Sequence, residues 1–345
     1  MKDTFLSARL VEKDLIRLSI FSFIPYEDFE TKLLIDNAES ILLKPTKQVS
    51  TTDFKLSKPL ELGHNYDLVM PSRAIIPLDV IEATTFSNFD DEYYYDGDDL
   101  GSTWSKDKTS FVLWAPLASS VCLLYRRSGE EWSAKLMERT ERGVYRTTLS
   151  GDCDLYEYKY LVTNSGNQKP AIDPYAKAST PNGEASVVMD MSRFNDIADF
   201  RCNLEEVKSP IIYEADVRDM TNSSFSDVVS KSTFKGLSEP GRKTKMGSKA
   251  GFDYIKSLNI THLQLLPIFD FKTVDELDPK KKYNWGYDPQ QYFVPEGSYC
   301  SNVSDPSCRI RECKEMIEAY RNALGIETAY LITRPGEGAR VLYQA

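Results

Sequence analysis

"GFDYIKSLNITHLQLLPIFDF", Gly251 to Phe271, carries two periodicities in one stretch. Phe252, Ile255 and Leu258 recur at helical spacing, and the apolar run "LQLLPIFDF" behind them is short and dense enough for a strand. Upstream, "PIIYEADVRDMT" from Pro210 reads as a compact apolar strand ending in alternating charges; downstream, "RIRECKEMIEAYRNALG" reads as a helix. Strand, helix, strand, helix in that order predicts a right-handed βαβ unit and a parallel sheet. In a barrel of such units the working face lies at the C-terminal ends of the strands. The loop after "LQLLP" contains "YNWGYDP", Tyr283 to Pro289, and is expected on that face. Two readings of this loop compete. Its aromatic faces and short polar side chains suit a sugar, whereas Gly286 and Pro289 suit a plain chain reversal.

The sequence before Pro210 has a different texture. Short β-like runs such as "LIRLSIFSF" and "SILL" alternate with polar turns, and "RAIIPLDVIEATTF" continues them to Phe86, which predicts a small N-terminal β domain over 1–88. "FDDEYYYDGDDLG", Phe89 to Gly101, is dense in oxygen ligands; it lacks EF-hand spacing and reads as a solvated acidic connector rather than a calcium loop. "TSFVLWAPLASSVCLLYRR" alternates, breaks at Pro116 and resumes, predicting a hairpin, and "GVYRTTLSGDCDLYEYKYLV" repeats the pattern. Residues 100–165 are thus expected to form a β-sandwich of immunoglobulin-like proportions within a second domain, 89–200. Trp114 and the row Tyr156, Tyr158, Tyr160 could face a carbohydrate; period-two spacing places the three tyrosines on one side of one strand, where core packing is the competing role.

Composition narrows the classes. A chain of 345 residues with 41% apolar content supports two or three domains with substantial cores. A formal charge of -10 disfavours nucleic acid and anionic membrane as partners. The six cysteines, Cys122, Cys153, Cys202, Cys300, Cys308 and Cys313, form no CxxC pair, and His64 and His262 are the only histidines, so a zinc site or a multi-imidazole proton shuttle is not expected. No cofactor or metal is called for. The N-terminus is interrupted by charges and no run is long enough to span a bilayer, which gives the expectation of a cytoplasmic protein with reduced thiols.

Taken together, the pieces resemble a known family in its own order. "DDEYYYDGDDLGSTWSKDKTSFVLWAPLASSV", "GVYRTTLSGDCDLYEYKYLV", "DPYAKASTPNGEASVV", "IIYEADVRDM", "GFDYIKSLNITHLQLLPIFDF" and "YNWGYDPQQYFVPEGSY" are similar to the N-terminal half of type I pullulanases, debranching members of the α-amylase glycoside hydrolase superfamily. The resemblance implies three parts: the N-terminal β domain, a β-sandwich carbohydrate-binding module, and, over 201–345, the first βα units of a (β/α)8 TIM barrel that diverges after about residue 320. It also implies an α-glucan partner, namely pullulan, starch or glycogen. Carried over from the family, Tyr287 stacks under the sugar at the cleavage point, while Asn284, Trp285 and Asp288 shape and position the loop. A rigid aromatic turn with Trp285 buried is the competing reading of the same residues.

The resemblance stops where the chemistry would begin. Retaining hydrolysis needs two carboxyl groups roughly 5 to 5.5 Å apart, and the family supplies them on later barrel strands. Neither a "DVVYNH"-like nor a "GFRFD"-like segment occurs; the chain instead reads "YRNALGIETAYLITRPGEGARVLYQA". Asp216, which stands where the family commonly has histidine, and Asp219, Glu327 and Glu337 read as solvated or ion-paired carboxylates, not catalytic ones. The expectation is a pullulanase-type α-1,6-glucosidase by descent, truncated within the barrel by a frameshift or completed by a second chain, and inactive alone. The alternatives are a non-catalytic α-glucan-binding protein or a non-functional fragment. A barrel begun and not closed would leave sheet edges and apolar helix faces uncovered.

Overall fold

The computed structural model describes residues 6–20, 31–48, 51–70, 73–195 and 211–324. Cys202, Glu327, Glu337 and the divergent tail lie outside the described residues. The chain divides into two compact units, Met1–Asp190 and Met191–Ala345.

The first unit opens with eight strands: β1 (Leu6–Glu12), β2 (Leu15–Ile20), β3 (Thr31–Ile35), β4 (Glu39–Leu43), β5 (Pro45–Gln48), β6 (Thr51–Lys55), β7 (Tyr66–Val69) and β8 (Ile75–Asp79). They form one sheet in the order β4-β3-β7-β8-β1-β2-β6-β5, in which only β1 and β8 run parallel. The two edge strands, β4 and β5, are joined by Lys44 alone, so the sheet must roll until its edges nearly meet. Alternation within "LIRLSI" sets the inside: Ile16 and Leu18 are buried with Leu10, Leu33, Phe54, Leu68 and Leu78. Each such side chain contributes about 1.5–3 kcal/mol. Arg17, between them, grips Asp53 with two bonds of 2.8 and 3.0 Å.

A helical turn, α1 (Phe89–Tyr93), begins the acidic connector. The connector is only partly solvated, because Arg146 pairs with Asp99 and Tyr95 donates to Asp99 at 2.6 Å. The sandwich follows: β9 (Gly101–Trp104), β10 (Lys108–Trp114), β11 (Ser120–Arg126), β12 (Ser133–Leu136), β13 (Glu138–Arg139), β14 (Val144–Ser150), β15 (Glu157–Asn164), β16 (Asn167–Ala171) and β17 (Ser186–Val187). One sheet runs β13-β14-β10-β9; the other runs β12-β11-β15-β16, with β17 also on β15.

The expected hairpin at Pro116 is therefore a crossover, since β10 and β11 belong to different sheets. Its carbonyls are met by side chains instead of a partner strand. Tyr145 donates to Ala118 O at 2.6 Å, and Arg139 reaches Ala118 O and Pro116 O at 3.2 and 3.1 Å. The tyrosine row is core rather than a sugar face, because Tyr158 and Tyr160 are fully buried and share Asp173 as acceptor at 2.7 and 3.3 Å. Burial pushes the Asp173 carboxyl above its ordinary value. Trp114 is half-exposed, with its Nε1 donating to Tyr93 O at 2.8 Å.

In the second unit, β18 (Ile212–Ala215) and β19 (His262–Leu265) pair in parallel, as expected, with Ile212 opposite His262. Between them lie α2 (Phe234–Leu237) and α3 (Gly251–Lys256). Phe252 and Ile255 are buried, but α3 ends before Leu258, where Asn259 takes a left-handed φ of 54°. The run "LQLLPIFDF" splits in two: Pro267 offers no N–H, so β19 stops and β20 (Phe269–Phe271) pairs antiparallel with β21 (Pro289–Pro295). The helix α4 (Pro306–Leu324) buries Cys313, Met316 and Tyr320 on one stripe against Phe234, Leu237 and Phe252. Ile211 and Ile212, at the start of β18, are 54% and 59% exposed.

Candidate functional site

The β20–β21 hairpin carries a long loop, 272–288, and its shape is fixed by a few short-range bonds. Asn284 donates Nδ2 to Asp288 Oδ1 at 2.6 Å and to Thr273 Oγ1 at 2.8 Å, and its Oδ1 accepts from Gly286 N at 2.8 Å. Asp288 also accepts from Thr273 N at 3.1 Å. Burial pushes the Asp288 carboxyl up, but the bonds from Asn284 and Thr273 outweigh it and hold it below the ordinary range. Gly286 has a φ of +89°, and a Cβ there would stand 2.8 Å from Pro267 O. The loop is thereby pressed onto the chain leaving the C-terminal end of β19.

With main chain and polar groups turned inward, the rings face out. Trp285 and Tyr287 are 61% and 65% exposed, so Trp285 is not the buried packing residue of the competing reading. Asn284 and Asp288 do not share that face; their polar atoms are spent inside the loop. Tyr292 and Phe293 on β21 are exposed as well. Sequence reasoning missed this pair, although "YFVP" follows the loop directly.

Tyr283 ties the loop to the segment after β18. Its hydroxyl donates to Asp219 Oδ2 at 2.8 Å, and the Arg218 guanidinium lies 5.5 Å from its ring centre while bonding Pro279 O and Lys282 O. Burial, then the Asp219 bond, push the Tyr283 hydroxyl up to about 12. Asp216 is neither solvated nor ion-paired, contrary to expectation: it is buried, accepting from Asp219 N at 2.9 Å and Tyr299 Oη at 3.3 Å. Burial raises its pKa.

Beneath the hairpin lies a knot of charge that the sequence did not reveal. One oxygen from each of Asp270, Glu276 and Glu296 falls within 4.8 Å of the others, and all three residues are buried. Arg309, fully buried, pairs with both Glu276 oxygens at 3.1 and 2.9 Å. Glu296 accepts from Phe271 N at 3.0 Å and Ser298 N at 2.9 Å, clamping the two ends of the hairpin. Burial and the neighbouring Glu276 push Glu296 up to about 8. The carboxylate spacing would suit a hard cation, but Arg309 already supplies the positive charge at Glu276 and amide N–H groups fill Glu296, so the donor set reads as a structural knot. In sequence these acids look like ordinary surface residues; only the packing of α4 against β21 brings Arg309 to them.

Comparison with known proteins places both units in one setting. Residues 99–176 match the model of carbohydrate-binding module 48, the isoamylase N-terminal domain. A pullulanase of Bacillus subtilis is 40% identical over 229 residues, covering 66% of this chain and 32% of that protein. Pullulanase 1 of Arabidopsis thaliana chloroplasts is 27% identical over 325 residues, covering 79% and 33%. The crystal structure of an Anoxybacillus pullulanase complexed with maltotriose superposes with a TM-score of 0.83 at 33% identity, covering 93% of this chain and 47% of that one. The chain thus spans about a third of the length of these curated relatives.

Proposed function

We propose, from a chain homologous to the N-terminal part of the pullulanases and carrying their carbohydrate-binding module, that these 345 residues bind and orient an α-glucan for hydrolysis at its α-1,6 branch points. The observation that carries this reading is the outward pair Trp285 and Tyr287 on a loop locked by Asn284, Gly286 and Asp288. Flat apolar faces stack on sugar rings, and a loop already ordered loses little entropy on binding. The parallel pairing of β18 with β19 supports reading this segment as the opening of a (β/α)8 barrel, whose substrates are held by the loops after the C-terminal ends of its strands.

Binding is the share of the work these residues do. Asp216 accepts from Asp219 N and Tyr299, and Asp219 accepts from Tyr283, so a retaining pair of free carboxyls is not built from them. Titrating the purified chain with maltotriose while following tryptophan fluorescence is expected to give saturable quenching, weakened about tenfold in Tyr287→Ala, since losing one sugar-stacking ring costs about 1–3 kcal/mol by analogy with base stacking. No reducing ends should appear from pullulan. Equal affinity in Tyr287→Ala and Trp285→Ala would remove the platform from the reading, and turnover of pullulan would overturn the assignment to binding alone.

A further inference from the structure

The second unit also holds a cavity of about 590 Å3 behind the same loop, a size typical of small-molecule sites. Its walls contain Arg218, Lys231 and Lys280 and no carboxylate, although the chain as a whole carries a formal charge of -10. These cations keep donors in hand. Arg218 spends only Nη1 on the chain, at Pro279 O and Lys282 O, while Lys231 reaches the carbonyls of Ser223 and Ser226. Lys280 has no partner among the described residues, and the side chains of Asn222 and Ser232, which also line the cavity, have none either. Phe271 and Tyr299 give it an apolar floor.

A guanidinium fork with two ammonium groups suits a phosphate dianion, and the amide, the hydroxyl and the apolar floor beside it suit a polyol ring. We infer that this cavity binds a phosphate monoester carried on a sugar, with Arg218, Lys231 and Lys280 on the phosphate and Asn222 and Ser232 on ring hydroxyls. Asn284 lines the cavity and also holds the aromatic loop in place. An occupied cavity therefore lies one side chain away from Trp285 and Tyr287.

The inference goes beyond the glucan reading and fails separately from it. Calorimetric titration of the 345-residue chain with glucose 6-phosphate should give saturable binding that weakens with added salt. Inorganic phosphate should compete, and glucose at the same concentration should not bind. Lys280→Glu should weaken glucose 6-phosphate about tenfold or more by turning an attraction into a repulsion, and leave maltotriose affinity unchanged. If Lys280→Glu does not fold, Asn222→Asp places a like charge on another wall and must weaken glucose 6-phosphate in the same direction. Glucose 6-phosphate and maltotriose phosphorylated at O6 distinguish a free sugar phosphate from a phosphorylated glucan by which binds tighter. Absence of saturable binding, equal affinity for glucose, or indifference to both substitutions would overturn the inference.

Discussion

Tyr158 and Tyr160 on β15, like Trp285 and Tyr287 on the β20–β21 loop, are an aromatic pair spaced by two residues, yet the first pair is fully buried and the second is 61% and 65% exposed. The polar partners make the difference. On β15 each side chain alternates between the sheet's two sides, and the hydroxyls of the inward pair find Asp173 at 2.7 and 3.3 Å, so burial leaves nothing unsatisfied. On the loop, Gly286 turns the backbone against Pro267 and Asn284 spends its amide on Asp288, so the inside is already filled and the rings have only solvent to face. Aromatic spacing alone does not tell a core from a platform. What the neighbouring amides, carboxylates and glycines bond to does.

Substitution should separate the two pairs most sharply at Tyr158. Tyr158→Ala empties a fully buried site and takes from the buried Asp173 carboxyl its 2.7 Å donor, and is expected to cost about 3–5 kcal/mol in urea unfolding; Tyr287→Ala should stay within about 0.5 kcal/mol of the parent. Similar losses at both positions would break the contrast.

The second unit, like the sandwich, holds a buried carboxyl, and this one, Glu296 beneath the hairpin, gives a pH signature. Glu296 titrates at about 8 against an ordinary 4.5, so between those values the folded chain keeps a proton that the unfolded chain has lost. Its contribution to stability is complete below about pH 4.5 and is lost as pH rises through about 8. Over that window the second unit should weaken by on the order of a few kcal/mol. Glu296→Gln should flatten the slope, as followed by thermal melts from pH 5 to 9. A slope that persists unchanged in the variant would move its origin elsewhere.

Gly286→Ala comes next in size. Left-handed φ and a Cβ 2.8 Å from Pro267 O predict a loss of about 1–3 kcal/mol, together with weaker maltotriose binding, because the ring pair would no longer be held. Retained affinity with lowered stability would show that the rings do not depend on the turn.

The elements that carry the two pairs were more legible beforehand than the contrast between them. The alternation in "LIRLSI" and the helical spacing of Phe252 and Ile255 located strands and helix because burial on one face leaves a period in the sequence. "YNWGYDP" was found because its residue types are chemically unusual together. What stayed hidden depends on contacts far apart in the chain. The crossover at Pro116 is held by Tyr145 and Arg139, and the knot under the hairpin needs Arg309 to reach Glu276 from 33 residues away. A single proline, Pro267, decided that one apolar run would serve two separate strand pairs.

Tyr283 stands between the two classes and gives the smallest and most discriminating test. Its ring is 41% exposed like the platform, yet its hydroxyl is tied like that of a core tyrosine, to Asp219 at 2.8 Å. With that hydroxyl held up to about 12, chiefly by burial, it remains a donor across the neutral range, so the tether itself adds no pH dependence between 6 and 9. Tyr283→Phe removes one partly exposed bond and should cost no more than about 1 kcal/mol. If the tether orients the loop, maltotriose affinity should fall several-fold in Tyr283→Phe and to a similar extent in Asp219→Asn, with no further loss in the double variant. Additive losses would mean that the two residues act on the loop separately, and an unchanged affinity would leave Asn284 and Gly286 as the whole of the brace.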